Sequence, residues 1–160
     1  MRVAVSRILL ACFLVVGAST VSAPPSTAGT GVKVAIIVGP TGSLTDTYRA
    51  RANQVAEAAR DAGATVAKAY SPRATWPNVV DAVRGANIIV YFGHGNGYPS
   101  PYSSTEWRDR VNGWGLNRTT SNGDKDDWSR TLVYCGEKAL LGRLGAYDGA
   151  AQRKYCLPAG

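Results

Sequence analysis

The chain has 160 residues, a length that accommodates one domain. Its formal net charge of +7 comes from 18 Lys and Arg against 11 Asp and Glu, scattered without a dense basic run. A mildly basic, soluble surface follows, and nucleic-acid binding is not expected. One histidine and three cysteines do not supply zinc-ligand spacing, and no metal or other cofactor is expected.

Residues 1–28 read as a secretory signal peptide. Arg2 and Arg7 make a basic start, 8–18 (ILLACFLVVGA) is apolar, and small residues and prolines follow. Cleavage after Ala28 fits the small-x-small spacing of Ser26 and Ala28, whereas cleavage after Ala23 would leave Pro24 first. A lipoprotein site at Cys12 fits less well, because Phe13, Leu14, Val15 and Val16 continue the apolar run past it. That run is short for a membrane span, so no stable membrane insertion is expected after cleavage. The remainder, 29–160, is expected to be one α/β domain, secreted or associated with the cell wall. Its charge falls from +7 to +5, since residues 1–28 carry two arginines and no acid.

Residues 31–38 (GVKVAIIV) have the continuous apolar character of a buried strand, ended by Gly39-Pro40-Thr41-Gly42. Ser43 and Asp46 have the spacing of a capping box, and predict a helix start. Tyr48, Ala52, Val55, Ala56 and Ala59 then give one apolar face, and Gly63 ends the helix. Residues 64–70 (ATVAKAY) alternate as a second strand, broken by Ser71-Pro72. A second helix is predicted from near Thr75, with Pro77 early and Gly85 at its end. Residues 87–92 form the third strand. Residues 106–127 read as loop or hairpin, 130–134 as a short strand, 136–145 as a brief helix, and 148–160 show no regular period.

Strand–helix–strand–helix–strand at this spacing predicts a parallel sheet with helices on both faces, a Rossmann-like three-layer arrangement. Its three strands end on one edge, where open parallel sheets bind ligands. Gly39, Gly42 and Ser43 after the first strand, and Gly93, Asn96, Gly97 and Tyr98 after the third, are the candidate binding rim. The only histidine, His94, stands on that rim between two glycines. An imidazole suits general acid–base work, and the N–H of Gly95 can donate to a developing oxyanion. A loop histidine satisfied by a carbonyl is the plainer alternative. A peptide or a cell-wall polymer is the expected partner, and the aromatic residues Trp76, Tyr98, Tyr102, Trp107, Trp114 and Trp128 suit stacking as well as core filling.

The strand 88–92 running into His94-Gly95 resembles the histidine block of the caspase, gingipain and legumain type of cysteine peptidase. By that resemblance the fold is caspase-like, His94 is the acid/base, Gly95 an oxyanion donor, and a cysteine after a later hydrophobic strand the nucleophile. A more extensive resemblance, over most of 29–160, is to a group of secreted, largely uncharacterised bacterial proteins. It rests on GHGNG-aromatic-PSPY (93–102), TGSLTDTYRARAN (41–53), YSPxATW (70–76) and Gly115-Leu116-Asn117. Those chains continue past the equivalent of Gly160 into another hydrophobic strand ending near a Cys. The three-stranded sheet is likewise small, so either the domain is unusually small or a C-terminal part is missing.

Cys135 follows the strand TLVY and has the position of a caspase-like nucleophile. Cys156 offers it a disulfide partner instead, and in an exported chain the disulfide is preferred. It would close a loop of about 20 residues, worth roughly 3 kcal/mol. The two roles exclude each other. Gly39 to Ser43 lacks the lysine of a phosphate-binding loop, and no G-x-S-x-G is present. Asn122, Asp124 and Asp126 alternate as calcium ligands do, but Lys125 lies among them, and a solvated loop is the better expectation.

Overall fold

The computed structural model describes residues 31–96 and 110–157. Strand β1 (Lys33–Val38) is the centre of a parallel sheet, flanked by β2 (Thr65–Tyr70) and β3 (Ile88–Phe92). Ala35, Ile36, Ile37 and Val38 are fully buried, because layers cover both faces of a central parallel strand. Val34, Ile36 and Val38 point to one face, against Ala52 and Ala56 of α1 (Thr45–Asp61). Ala35 and Ile37 point to the other, against Trp76, Val79 and Ala82 of α2 (Trp76–Val83). The chain moves outward from β1 to β2 through α1, then back past β1 to β3 through α2. Crossovers of one hand running in opposite directions put their helices on opposite faces.

The start of α1 differs from expectation. The capping box at Ser43 and Asp46 does not form. A single 3-10 turn, Gly42–Leu44, precedes the helix, and Ser43 is exposed. Thr45, buried, replaces it: its Oγ1 accepts from the N–H of Thr41 at 2.9 Å and donates to the Gly42 carbonyl at 2.9 Å. A threonine hydroxyl can do both at once. Gly63 ends α1 with φ of +83°, its N–H on the Arg60 carbonyl and that of Ala64 on the Ala59 carbonyl. This is the left-handed closure that favours glycine.

A second sheet extends beyond the first. The short β4 (Gly95–Asn96), β5 (Gly113–Asn117) and β6 (Leu132–Cys135) pair antiparallel in that order. The expected loop or hairpin over 106–127 therefore contributes a central strand, β5, whose two apolar or aromatic positions, Trp114 and Leu116, are too sparse among glycines to signal one. Trp114 and Leu116 face the α2 side with Val133 and Cys135 and close its core. Two short helices follow, α3 (Glu137–Leu140) and α4 (Ala150–Tyr155). The second corrects the absence of period after Asp148: six residues are too few to display one, and α4 is held instead by its packing on β6. Among the described residues no helix is long and apolar enough to cross a membrane. Beside β1 on its open side, β3 leaves Ile88 and Ile89 about half exposed.

Candidate functional site

The parallel register sets Val38 beside both Tyr70 and Phe92, so the three strands do end together. The strand order reverses between β1 and β3, which makes the gap after them the switch point of the sheet. Only Gly93 and His94 separate β3 from β4. His94 thus stands at the joint between the two sheets.

Its backbone is held tightly. The His94 carbonyl accepts from the Gly115 N–H and from the Tyr91 hydroxyl, each at 2.8 Å. The same hydroxyl lies 3.0 Å from the Gly115 carbonyl, and the Tyr91 ring stacks on Trp114 at 5.7 Å. Three glycines make room for this knot. A Cβ on Gly39 would lie 2.2 Å from the Gly115 oxygen, one on Gly93 would lie 2.3 Å from the Tyr91 oxygen, and one on Gly115 would lie 2.9 Å from the His94 oxygen. Gly39 and Gly115 are needed for the close approach of one backbone to another, and Gly93 for that of the Tyr91 ring.

Burial pushes the Tyr91 phenol well above its usual range, against a smaller downward pull from the Gly115 carbonyl. The folded chain holds that proton more tightly than the unfolded one. Its stabilisation is therefore complete below about pH 10, the unfolded phenol's value, and is lost as pH rises above that. Tyr91→Phe is expected to cost about 1 kcal/mol at neutral pH and to flatten the alkaline decline in melting temperature. Burial moves Tyr70 and Tyr134 the same way, so the decline is reduced rather than abolished. Melts taken above pH 10 check this; a decline as steep as the parent's would count against it.

The imidazole faces residues 119–127, which strap across the strand ends. His94 Nε2 lies 3.4 Å from Asp126 Oδ2, with both side chains nearly half exposed. Asp124 anchors the strap: its carbonyl accepts from Gly42 N–H at 2.9 Å, its carboxylate from the Ser71 hydroxyl at 2.9 Å, and Arg49 forms an ion pair with it. Asn117, buried at the end of β5, donates to the Gly123 carbonyl at 2.8 Å. Gly42 has φ of +59°, and a Cβ there would meet the Asp126 carboxylate at 3.2 Å. The calcium spacing is accounted for by these contacts. The Asn122 side chain turns to Thr119, while Asp124 and Asp126 are engaged by Arg49 and His94, so the three do not converge. Among the described residues no cluster of His, Cys, Asp and Glu could hold a metal ion.

Gly95 pairs with Trp114 next to the hydrogen-bonded His94–Gly115 pair. Antiparallel pairs alternate, so Gly95 is at a non-bonded position and its N–H is directed away from β5. Nothing lies within 4 Å of where its Cβ would be. Asn96 donates to the Arg110 carbonyl. Gly97 and Tyr98 lie outside the described residues, as do Tyr102 and Trp107.

Cys135 is not brought to His94. Its Sγ is 2.03 Å from that of Cys156, with Cα atoms 5.4 Å apart, and both residues are buried. Cys135 projects to the Trp114–Leu116 face of the second sheet. The Gly115 Cβ direction, on the opposite face, meets the His94 Cβ at 3.2 Å and the Leu132 side chain at 3.2 Å. Histidine and cysteine therefore occupy opposite faces. Asp126, 32 residues after His94, was marked in the sequence only by its calcium-like alternation with Asn122 and Asp124, which gave no pointer to the imidazole. No family model matches the chain, and neither does any curated protein or solved structure.

Proposed function

We propose that the protein is a secreted domain of caspase-like fold whose rim around His94 is a hydrolytic site for a peptide or wall-polymer substrate. The observation that carries this reading is the joint itself. A single imidazole stands at the switch point, faces a carboxylate, and is followed directly by an exposed, outward-directed N–H. His94 takes and returns the proton, Asp126 orients the ring, and Gly95 N–H receives the oxyanion. Since the sulfur of Cys135 is bonded to Cys156, the attacking group is a water deprotonated by His94. The imidazolium then protonates the leaving group.

A second reading is favoured by the strap, which already lies across the strand ends. In that case the same rim binds its partner without turnover, as a cell-surface or wall-binding module. One experiment separates the two. The secreted chain is incubated with a peptide library and with fragmented cell wall, and products are read by mass spectrometry. The hydrolytic reading expects turnover that falls at least 100-fold in His94→Ala and roughly tenfold, in kcat rather than KM, in Asp126→Asn. Undiminished turnover by His94→Ala would overturn it, and saturable binding without products would establish the binding module.

A further inference from the structure

A cavity of 230 Å³ opens beside β6, lined among others by Arg110, Arg118, Trp128, Leu132, Tyr134 and Gln152. Its size is below the roughly 300 Å³ at which pockets begin to enclose drug-sized ligands, so it takes one ring rather than a chain. Trp128 is 64% exposed there, an unusual placing for the largest apolar side chain. Arg118 holds it in place through a bond from Nη2 to the Trp128 carbonyl at 2.8 Å. The remaining bond of that guanidinium runs from Nε to the Leu132 carbonyl at 3.1 Å, and its face lies over the Tyr155 ring at 5.5 Å. Arg118 has carbonyl and aromatic partners but no carboxylate among the described residues, so its charge is not neutralised by an ion pair.

The neighbouring strand edge decides against an extended peptide. Arg118 N–H bonds to the Thr131 carbonyl, and alternation from that pair turns Leu132 and Tyr134 outward from β5. Both outward carbonyls are occupied, that of Leu132 by Arg118 and that of Tyr134 by Gln152. The outward Leu132 N–H bonds to the Asp127 carbonyl. No added strand can pair there. What remains is an exposed indole, two arginines, Arg110 and Arg118, and a half-buried phenol around a space for one ring.

We propose that this cavity binds a sugar ring bearing a carboxylate, stacked on Trp128 and drawn by Arg118. An indole face suits the C–H face of a sugar ring, and the guanidinium suits the carboxylate. The proposal does not depend on the role of His94, and the His94→Ala chain is expected to bind equally well.

The test uses the secreted chain with glucuronate, glucose and N-acetylglutamate amide as probes, read by indole N–H shifts in NMR titrations. Glucuronate is expected to shift one indole resonance and to bind at least fivefold more tightly than the other two. Trp128→Ala should abolish the response. Arg118→Gln should weaken glucuronate at least fivefold while leaving glucose nearly unchanged, whereas Arg118→Lys should retain most of the affinity. Circular dichroism melts confirm that each variant is folded. A glucuronate trimer that binds more tightly than the monomer identifies a polymer as the source, and equal binding identifies the free sugar; either supports the site. Equal affinity for glucose and glucuronate, tighter binding of the glutamate derivative, or unchanged binding in folded Trp128→Ala would overturn it.

Discussion

Gly39→Ala is expected to be the most damaging single-methyl substitution in the molecule. The added Cβ would meet the Gly115 carbonyl oxygen at 2.2 Å and the Tyr91 hydroxyl at 3.0 Å. A flexible side chain could turn away, but the nearer atom is backbone in a central strand. The Gly39 N–H is also fixed, bonded to the Phe92 carbonyl at 2.8 Å. Relief requires parting β1 from β5, which breaks the knot that seats His94. The cost is expected at the upper end of the roughly 1–3 kcal/mol seen for overpacked sites. For a domain of this size that lowers the melting temperature by about 10 °C. Gly95→Ala is the control, since its Cβ would meet nothing within 4 Å. Calorimetry of both variants decides the matter: similar melting temperatures would show that the approach of Gly39 to β5 is not tight in solution.

The second large effect concerns Cys135 and Cys156. They lie 21 positions apart in sequence, and the bond ties β6 to the end of α4. In the chain-entropy picture such a loop is worth about 3 kcal/mol. A Cys135→Ala/Cys156→Ala chain is expected to melt about 10 °C lower than the parent. It is also expected to lose α4 first, because six residues do not sustain a helix alone. Intact-mass measurement with alkylation before reduction should find no alkylated thiol at either position. Two alkylated thiols would remove the basis of this prediction, while Cys135 would still lie buried on the face opposite His94.

The parallel half of the molecule was legible because its signals are local. The run VAIIV, the alanine stripe Ala52, Ala56, Ala59 and the stops at Gly63 and Gly85 each act within a few residues. Their order fixes the crossovers and the common edge. The helix start was misplaced by two residues, since Ser43 and Thr45 carry the same kind of hydroxyl and only the buried geometry distinguishes them. The antiparallel half was mostly illegible. β5 is GWGLN, where glycines needed for close approach to His94 and Arg110 remove the apolar alternation that marks a strand.

By itself the sequence determined three strands, two helices, their shared edge and the presence of His94 on it, because periodicity and chain order are properties of neighbouring residues. It also made Cys135 and Cys156 a natural pair. Only the tertiary structure decided what surrounds the imidazole. Asp126 reaches it from a polar stretch whose one pattern, a calcium-like alternation, pointed elsewhere, and it is carried there by Asp124 on Arg49 and Ser71 and by Asn117 on Gly123. It likewise decided that histidine and cysteine lie on opposite faces of the second sheet, since side-chain facing follows from strand pairing between distant segments. Contacts of that range depend on how elements pack, and no local pattern encodes them.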